Sequence, residues 1–194
     1  MWIDFCSGDP SALEKLYKLF YPVLLRYGKK FTTDPAVVED EIHDLFLSLW
    51  QTGKLPADLY SPKAYLLKSL RNRLLDQLRM HERNMHQEIG FEPNTDAYIY
   101  SIEDIMIQEQ AQEEDIVRIR KAMEDLPPRQ REIIYLRYYS ELSLADIAQV
   151  MSLTYQSVRN LLHKAFIRIR ELLQTTFSAI SLIMMNLPDP DNFF

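Results

Sequence analysis

Apolar residues recur along much of this chain at spacings of three and four, the period of helices that bury one face. From Ala12 to Tyr27, Leu13, Leu16, Tyr17, Phe20, Val23, Leu24 and Tyr27 share such a face, and Pro22 is expected to bend that helix rather than end it. Asp34 followed by Pro35 opens a second helix: a cap, then a residue whose missing amide costs nothing in the first turn. Val38, Ile42, Leu45, Phe46 and Leu49 turn inward there, while Glu39, Asp40, His43, Asp44, Leu47 and Ser48 form the other face. Ser61 and Pro62 repeat the signal before a third helix with Tyr65, Leu66, Leu70, Leu74 and Leu78 inward. Residues 81–100 lack sustained periodicity and read as a linker. A capping box at Ser101 and Asp104, then Ile102, Ile105, Ile116, Ile119 and Met123, leads to the break at Pro127 and Pro128. Pro128 starts the helix of Ile133, Ile134 and Leu136.

The stretch from Leu126 to Leu173 carries the sharpest pattern. Ser143 lies three residues before Asp146, a capping-box spacing for a short helix from Leu144 to Met151 with Leu144, Ile147, Ala148 and Met151 buried. Ser152 and Leu153 make a turn. Thr154 then caps a longer helix that turns Val158, Leu161, Leu162, Ala165 and Ile169 inward and Gln156, Ser157, Arg159, Asn160, His163 and Lys164 outward. The pair can be two helices of an ordinary core. It also has the layout of a helix-turn-helix, whose outward set suits a major groove: Arg and Lys reach phosphate or guanine, and Asn and Gln pair with adenine.

Charge sharpens the division into parts. The chain has 22 Lys and Arg against 28 Asp and Glu, a net charge of −6 that argues against DNA binding until it is resolved along the sequence. Residues 84–125 hold 3 basic and 11 acidic residues, so the halves on either side are close to neutral. The third helix is the most basic stretch, with Lys63, Lys68, Arg71, Arg73, Arg79 and Arg83. A solvated surface accounts for such a face. Tyr60 and Tyr65 beside the charge also supply what a single strand requires, stacking for bases and cations for phosphates. The acidic face of the second helix likewise has two readings: a solvated surface, or, with apolar Leu47 among the acids, a dock for a basic helical partner.

Other classes of function find little support. Four glycines leave no P-loop or dinucleotide fingerprint, Cys6 is a lone thiol, and His43, His81, His86 and His163 have no ligand spacing, so neither cofactor nor metal nor catalysis is expected. No apolar run reaches the roughly 18 residues of a membrane helix, and the N-terminus lacks a signal-peptide layout, so a soluble protein of the reducing cytoplasm is expected.

With both halves laid out, the chain resembles the bacterial RNA polymerase sigma factors of the extracytoplasmic-function type, over roughly residues 8–173. Glu39, Asp40, Phe46 and Trp50 match that family's polymerase-docking helix. Asn72, Asp76 and Arg79 in RNRLLDQLR match its promoter-opening helix, and LPPRQREIIYLRYY, LSLADIAQVM and SVRNLLHKAF match the domain that binds the −35 element. The resemblance implies an all-α chain of two small helical domains. Its expected parts are an N-terminal domain over 1–83, an acidic linker over 84–111, a helix-turn-helix domain over 112–174 and an extension over 175–194. It implies core RNA polymerase and promoter DNA as partners and, commonly, an anti-sigma factor, with no direct membrane insertion.

Residue by residue, Thr154, Gln156, Ser157, Arg159, Asn160, His163 and Lys164 are assigned to the −35 duplex. Tyr60, Tyr65, Lys68, Arg71, Asn72, Asp76 and Arg79 are assigned to the −10 element, and Glu39, Asp40, His43, Asp44, Leu47 and Trp50 to polymerase. The sequence departs from the family at His43 (commonly Gln), Tyr65 (commonly Trp), Ser152 (commonly Gly) and Leu161 (frequently Arg). Ser152 must take a turn conformation that Gly adopts freely, and Leu161 removes one DNA contact. The rival reading is a helix-turn-helix repressor or activator that works without polymerase. It would normally dimerise on paired half-sites, and it leaves the N-terminal half without a role. In the tail, Leu173, Phe177, Ile180, Met184 and Leu187 recur at helical spacing, either packed on the chain's own helices or docked between the two domains.

Overall fold

The computed structural model describes residues 1–52, 59–85, 119 and 121–173. The expected linker 84–111, apart from its first two residues, and the extension 175–194 lie outside them. The described residues form helices and their connections, with no strand among them.

Four helices make the N-terminal half: α1 (Trp2–Cys6), α2 (Pro10–Gly28), α3 (Pro35–Thr52) and α4 (Pro62–Met85). Each of the last three begins at a proline that follows a side-chain cap. Asp9 Oδ1 accepts from the Ser11 amide at 2.8 Å, Asp34 Oδ1 from Ala36 at 2.9 Å and Ser61 Oγ from Ala64 at 3.2 Å. The Asp9 carboxyl is held below its usual range chiefly by that Ser11 amide. Pro22 lies inside a continuous α2, as expected. Helices α2, α3 and α4 pack on one another, and α1 closes the end of the bundle, where Phe5 stacks on Trp50 at 6.0 Å and Trp2 meets Tyr65 edge-on at 6.1 Å.

The five apolar positions expected inside α3 are all buried, and Glu41 joins them. Glu41 lies where a helix flanked on both sides turns a polar residue inward, and it is met there by Gln77 Nε2 at 2.7 Å and Arg73 Nη1 at 3.5 Å.

In the C-terminal half, residues 121–124 are helical and precede α5 (Pro128–Ile134). A single π turn over Tyr135–Tyr139 follows, then α6 (Leu144–Met151) and α7 (Tyr155–Leu173). Ser143 Oγ accepts from the Asp146 amide at 3.1 Å, so α6 begins where its spacing predicts. Helix α6 packs against α7 on one side and α4 on the other. That explains a departure from the expected pattern: Val150 is fully buried and Ala148 is only half-buried, because α6 has two neighbours rather than one. The same sandwiching widens the buried face of α4, which includes Leu67, Leu75 and Arg71 besides the expected leucines, while Tyr65 and Leu78 sit half-buried. The hydrophobic core therefore runs unbroken from the N-terminal bundle into the helix-turn-helix.

Two backbone positions mark tight geometry. Gly28 ends α2 against Val38 of α3, and a Cβ there would overlap the Val38 Cγ1 methyl. Ser152 holds φ 54 and ψ 45, the left-handed conformation that ends α6 and starts the turn.

Gly28→Ala gains up to about 1 kcal/mol of helix propensity but overpacks a rigid site, at a cost of about 1–3 kcal/mol. A net loss of stability is expected in chemical unfolding, part of which Val38→Ala restores. Ser152→Gly removes the left-handed strain of a residue with a Cβ, and is expected to raise stability by about 1 kcal/mol in the same measurement.

Candidate nucleic-acid interface

Three surfaces carry the residues singled out by sequence. The first is the start of α7. Thr154 Oγ1 accepts from the Ser157 amide at 3.1 Å and lies 2.8 Å from Ser157 Oγ, which fixes the first turn of the helix. Gln156, Ser157, Asn160, His163 and Lys164 are exposed along one side, and Arg159 is half-buried at its margin. Gln156 Nε2 donates to Asn160 Oδ1 at 3.1 Å, so the two amides stand together one turn apart. The inward set is Val158, Leu162, Ala165 and Leu173, with Leu161 and Ile169 half-buried. Such a helix, capped, held by α6 and bare along its outer side, can enter a major groove end-first.

The second surface is a stripe on α4. Asn72 and Asp76 are exposed, and Tyr65, Lys68 and Arg79 are half-buried beside them. Arg79 Nη1 meets Asp76 Oδ1 at 2.8 Å, an exposed i,i+3 pair that competes only weakly with a phosphate. Tyr60, 95% exposed in the connection before α4, leaves its ring open for stacking.

Arg71 departs from this set. It is only 6% exposed, with Nε 2.7 Å from Glu132 Oε1 and Nη2 3.1 Å from Glu132 Oε2, a two-pronged ion pair across the halves of the chain. The assignment of Arg71 to an open DNA face is thereby corrected: α6 packs against α4, and the Glu132 carboxylate of α5 holds the guanidinium. Burial works to lower the Arg71 pKa, but the hydrogen bond and charge of Glu132 outweigh it and the net shift is upward. Tyr27 Oη donates to the same Glu132 Oε1 at 2.7 Å. Burial first, then the Glu132 charge, pushes the Tyr27 phenol well above its usual range.

The third surface is the outer side of α3. Asp40, His43, Asp44 and Leu47 are exposed, Leu47 by 53%, and Glu39 is half-buried. His43 Nδ1 lies 2.9 Å from the Glu39 carbonyl oxygen and Nε2 lies 3.0 Å from the Tyr17 hydroxyl. In the neutral ring this places the proton on Nδ1 and leaves Nε2 to accept from Tyr17. Trp50 is not part of the open face, because its half-buried ring stacks on Phe5 of α1. Burial and the Glu39 carboxylate raise the Tyr21 phenol, and burial followed by Tyr21 and Glu39 raises Tyr17.

Sequence reasoning did not single out Glu132, Lys30 or Tyr135. Tyr135 stacks on Tyr27 at 6.0 Å and lies under Lys30 Nζ at 5.7 Å, and Lys63 Nζ donates to the Ser140 carbonyl at 2.6 Å. A buried cluster of charge and aromatic rings thus joins the halves. The one available hint was Glu132 itself, an acid among inward-facing positions of α5. Among the described residues no group of three His, Cys, Asp or Glu could hold a metal ion, and no helix is long and apolar enough to cross a membrane.

Comparison with known proteins accounts for both ends of this arrangement. Residues 16–84 match the family model of Sigma-70 region 2, and residues 116–169 match that of Sigma-70, region 4. The ECF RNA polymerase sigma factor SigL of Mycobacterium tuberculosis is 27% identical over 87% of this chain and 92% of its own length. The RNA polymerase sigma-E factor of Streptomyces antibioticus is 25% identical over 87% of the chain and 88% of its own length. In fold, the chain is similar to the sigma factor RpoE of Bartonella quintana, solved with the anti-sigma factor NepR: TM-score 0.60, 22% identity, covering 84% of this chain and 98% of that one. It is also similar to CnrH, solved with the cytosolic domain of CnrY: TM-score 0.59, 18% identity, covering 91% and 96%. With region 2 on the helices that expose an acidic face and a basic stripe, and region 4 on the helix-turn-helix, the chain belongs to the extracytoplasmic-function sigma factors of bacterial RNA polymerase.

Proposed function

We propose that each of the three surfaces performs one task of a sigma factor, which binds core RNA polymerase and directs initiation at chosen promoters. The exposed start of α7 carries the reading of −35 duplex, because its five bare polar side chains project from a helix that other helices anchor. In this reading Gln156, Ser157 and Asn160 choose bases, while Arg159, His163 and Lys164 attract phosphate.

The stripe of Tyr65, Lys68, Asn72, Asp76 and Arg79, with Tyr60, serves the −10 element. Opening DNA requires no catalysis. It requires binding that favours unstacked bases, and stacking on an aromatic ring returns about 1–3 kcal/mol per base against an unstacking cost of a few. The outer side of α3, with Glu39, Asp40, His43, Asp44 and Leu47, docks on polymerase through acidic groups around an apolar centre. The division into a polymerase and −10 domain over 1–83 and a −35 domain over 112–174 belongs to the same reading, as does action in the cytoplasm without catalytic activity. An anti-sigma factor is the expected inhibitor, since the Bartonella relative was solved with one.

Run-off transcription by core polymerase over a promoter library tests the whole: initiation above core alone is expected. Asn160→Ala should cost about 1–3 kcal/mol at one base position and relax preference there. Lys164→Ala should weaken all sequences alike and lower the salt dependence of binding by about one ion. A reversed pattern in binding titrations would refute the division of labour. Asp40→Lys with Asp44→Lys should abolish core binding while −35 duplex binding persists, read by pull-down and by gel shift.

A further inference from the structure

The first residue of α7 carries a large ring that the fold covers only in part. Tyr155 lies three positions before Val158 and seven before Leu162, both buried, so the helical period puts it on the inward side. It is nevertheless 52% exposed, and among the described residues it makes no hydrogen bond or ring contact. The cause is its place in the chain. Helix α6 ends at the left-handed Ser152, and the side chains of a helix lean toward its N-terminus. A ring on the first residue of α7 therefore leans past the end of the helix, with no earlier turn to lie on. Thr154 and Ser157 fix that first turn and Val158 anchors it, so the ring is not what starts or holds the helix.

The neighbours of Tyr155 are polar. Gln156 and Ser157 are exposed beside it, and Arg159, one turn on, is half-buried at the margin. These groups suit phosphates and the hydrogen-bonding edges of bases. None of them offers an apolar surface. A recognition helix puts its N-terminal residues against base edges, so a ring that leans past the first turn is carried in ahead of them. Among the base edges of the major groove the prominent apolar group is the C5-methyl of thymine.

We propose that Tyr155 is a specificity-determining residue of α7, its ring packing against the C5-methyl group of a thymine in the −35 duplex. The contact gives the covered half of the ring its missing partner in the bound state and adds an apolar choice to the polar ones of Gln156, Ser157 and Asn160. It separates thymine from cytosine, which lacks the methyl and presents an amino group instead.

The proposal rests on the reading of α7 as the −35 helix, and its test separates the two. Duplexes are selected from a random library by the full-length chain, alone and in complex with core polymerase. Each thymine of the selected site is then replaced in turn by uracil, which keeps the base pair and its hydrogen-bonding groups and loses only the methyl. One replacement should weaken binding by the wild type about three- to fivefold, the effect of about one buried methyl group, and the others should change it little. Tyr155→Phe should keep this sensitivity, because the ring remains. Tyr155→Ala should bind thymine and uracil duplexes alike, with thermal unfolding close to that of the wild type. Tyr155→Gln, which keeps a longer side chain at the helix start, makes the same comparison should Tyr155→Ala fail to fold. A selected site with no uracil-sensitive position would overturn the contact alone, and so would sensitivity that survives in a folded variant without the ring. Loss of sensitivity in Tyr155→Phe would assign the contact to the hydroxyl and overturn it as well. Failure to select any duplex would remove the −35 reading, and the ring contact with it.

Discussion

A guanidinium and a carboxylate removed from water each lose several kcal/mol of solvation, and only close pairing with further hydrogen bonds offsets the loss. Arg71 and Glu132 meet that requirement together and neither could meet it alone in its own half of the chain. Their two-pronged contact, completed by the Tyr27 hydroxyl, therefore ties three helices that are remote in sequence into one arrangement. The apolar surfaces of the two halves would attract each other at many angles. A charged pair of fixed geometry selects one, which is the specificity that buried ionic groups confer in some proteins at little gain in stability.

That selection governs how α4 divides its surface. One side faces α2 and α3, a second faces α6, and the remaining stripe of Tyr65, Lys68, Asn72, Asp76 and Arg79 stays open or partly open. A helix so confined has little freedom to tilt, and the residues on its open side are presented at set positions. On α7 the same result is reached differently: α6 and the Thr154 cap hold its first turn, and Gln156 and Asn160 restrain each other's amides. In both places the presenting element is rigid, which favours recognition by shortening the list of conformations lost on binding.

How much of this was legible in the sequence follows from the range of each interaction. Caps are local: Asp34 with Pro35, Ser61 with Pro62, Ser143 with Asp146 and Thr154 act over two or three residues, and the helices begin where those residues stand. The inward face of α3 was legible because one period describes it. Burial from a second side was not. Val150, Leu67 and Arg71 lie on faces that a single amphipathic stripe leaves to solvent, and only the packing of the two halves covers them. Trp50 matched a family motif, yet a five-residue helix at the N-terminus, too short to carry a strong periodic signal, covers part of its ring. The open positions at the start of α7 and on the outer side of α3 were legible because outward residues on a two-sided helix are what remains once the core is assigned.

The order of synthesis gives the buried cluster a clock. Arg71 leaves the ribosome 61 residues ahead of Glu132, and elongation at about 5–20 residues per second puts roughly 3–12 s between them. During that interval the N-terminal bundle can fold on local contacts, with the Arg71 guanidinium in water. The tie to the second half forms last, because closing so long a loop precedes any reward from the contact. A nascent chain is thus born with its N-terminal half untethered, and it acquires the joined form only after the second half has emerged.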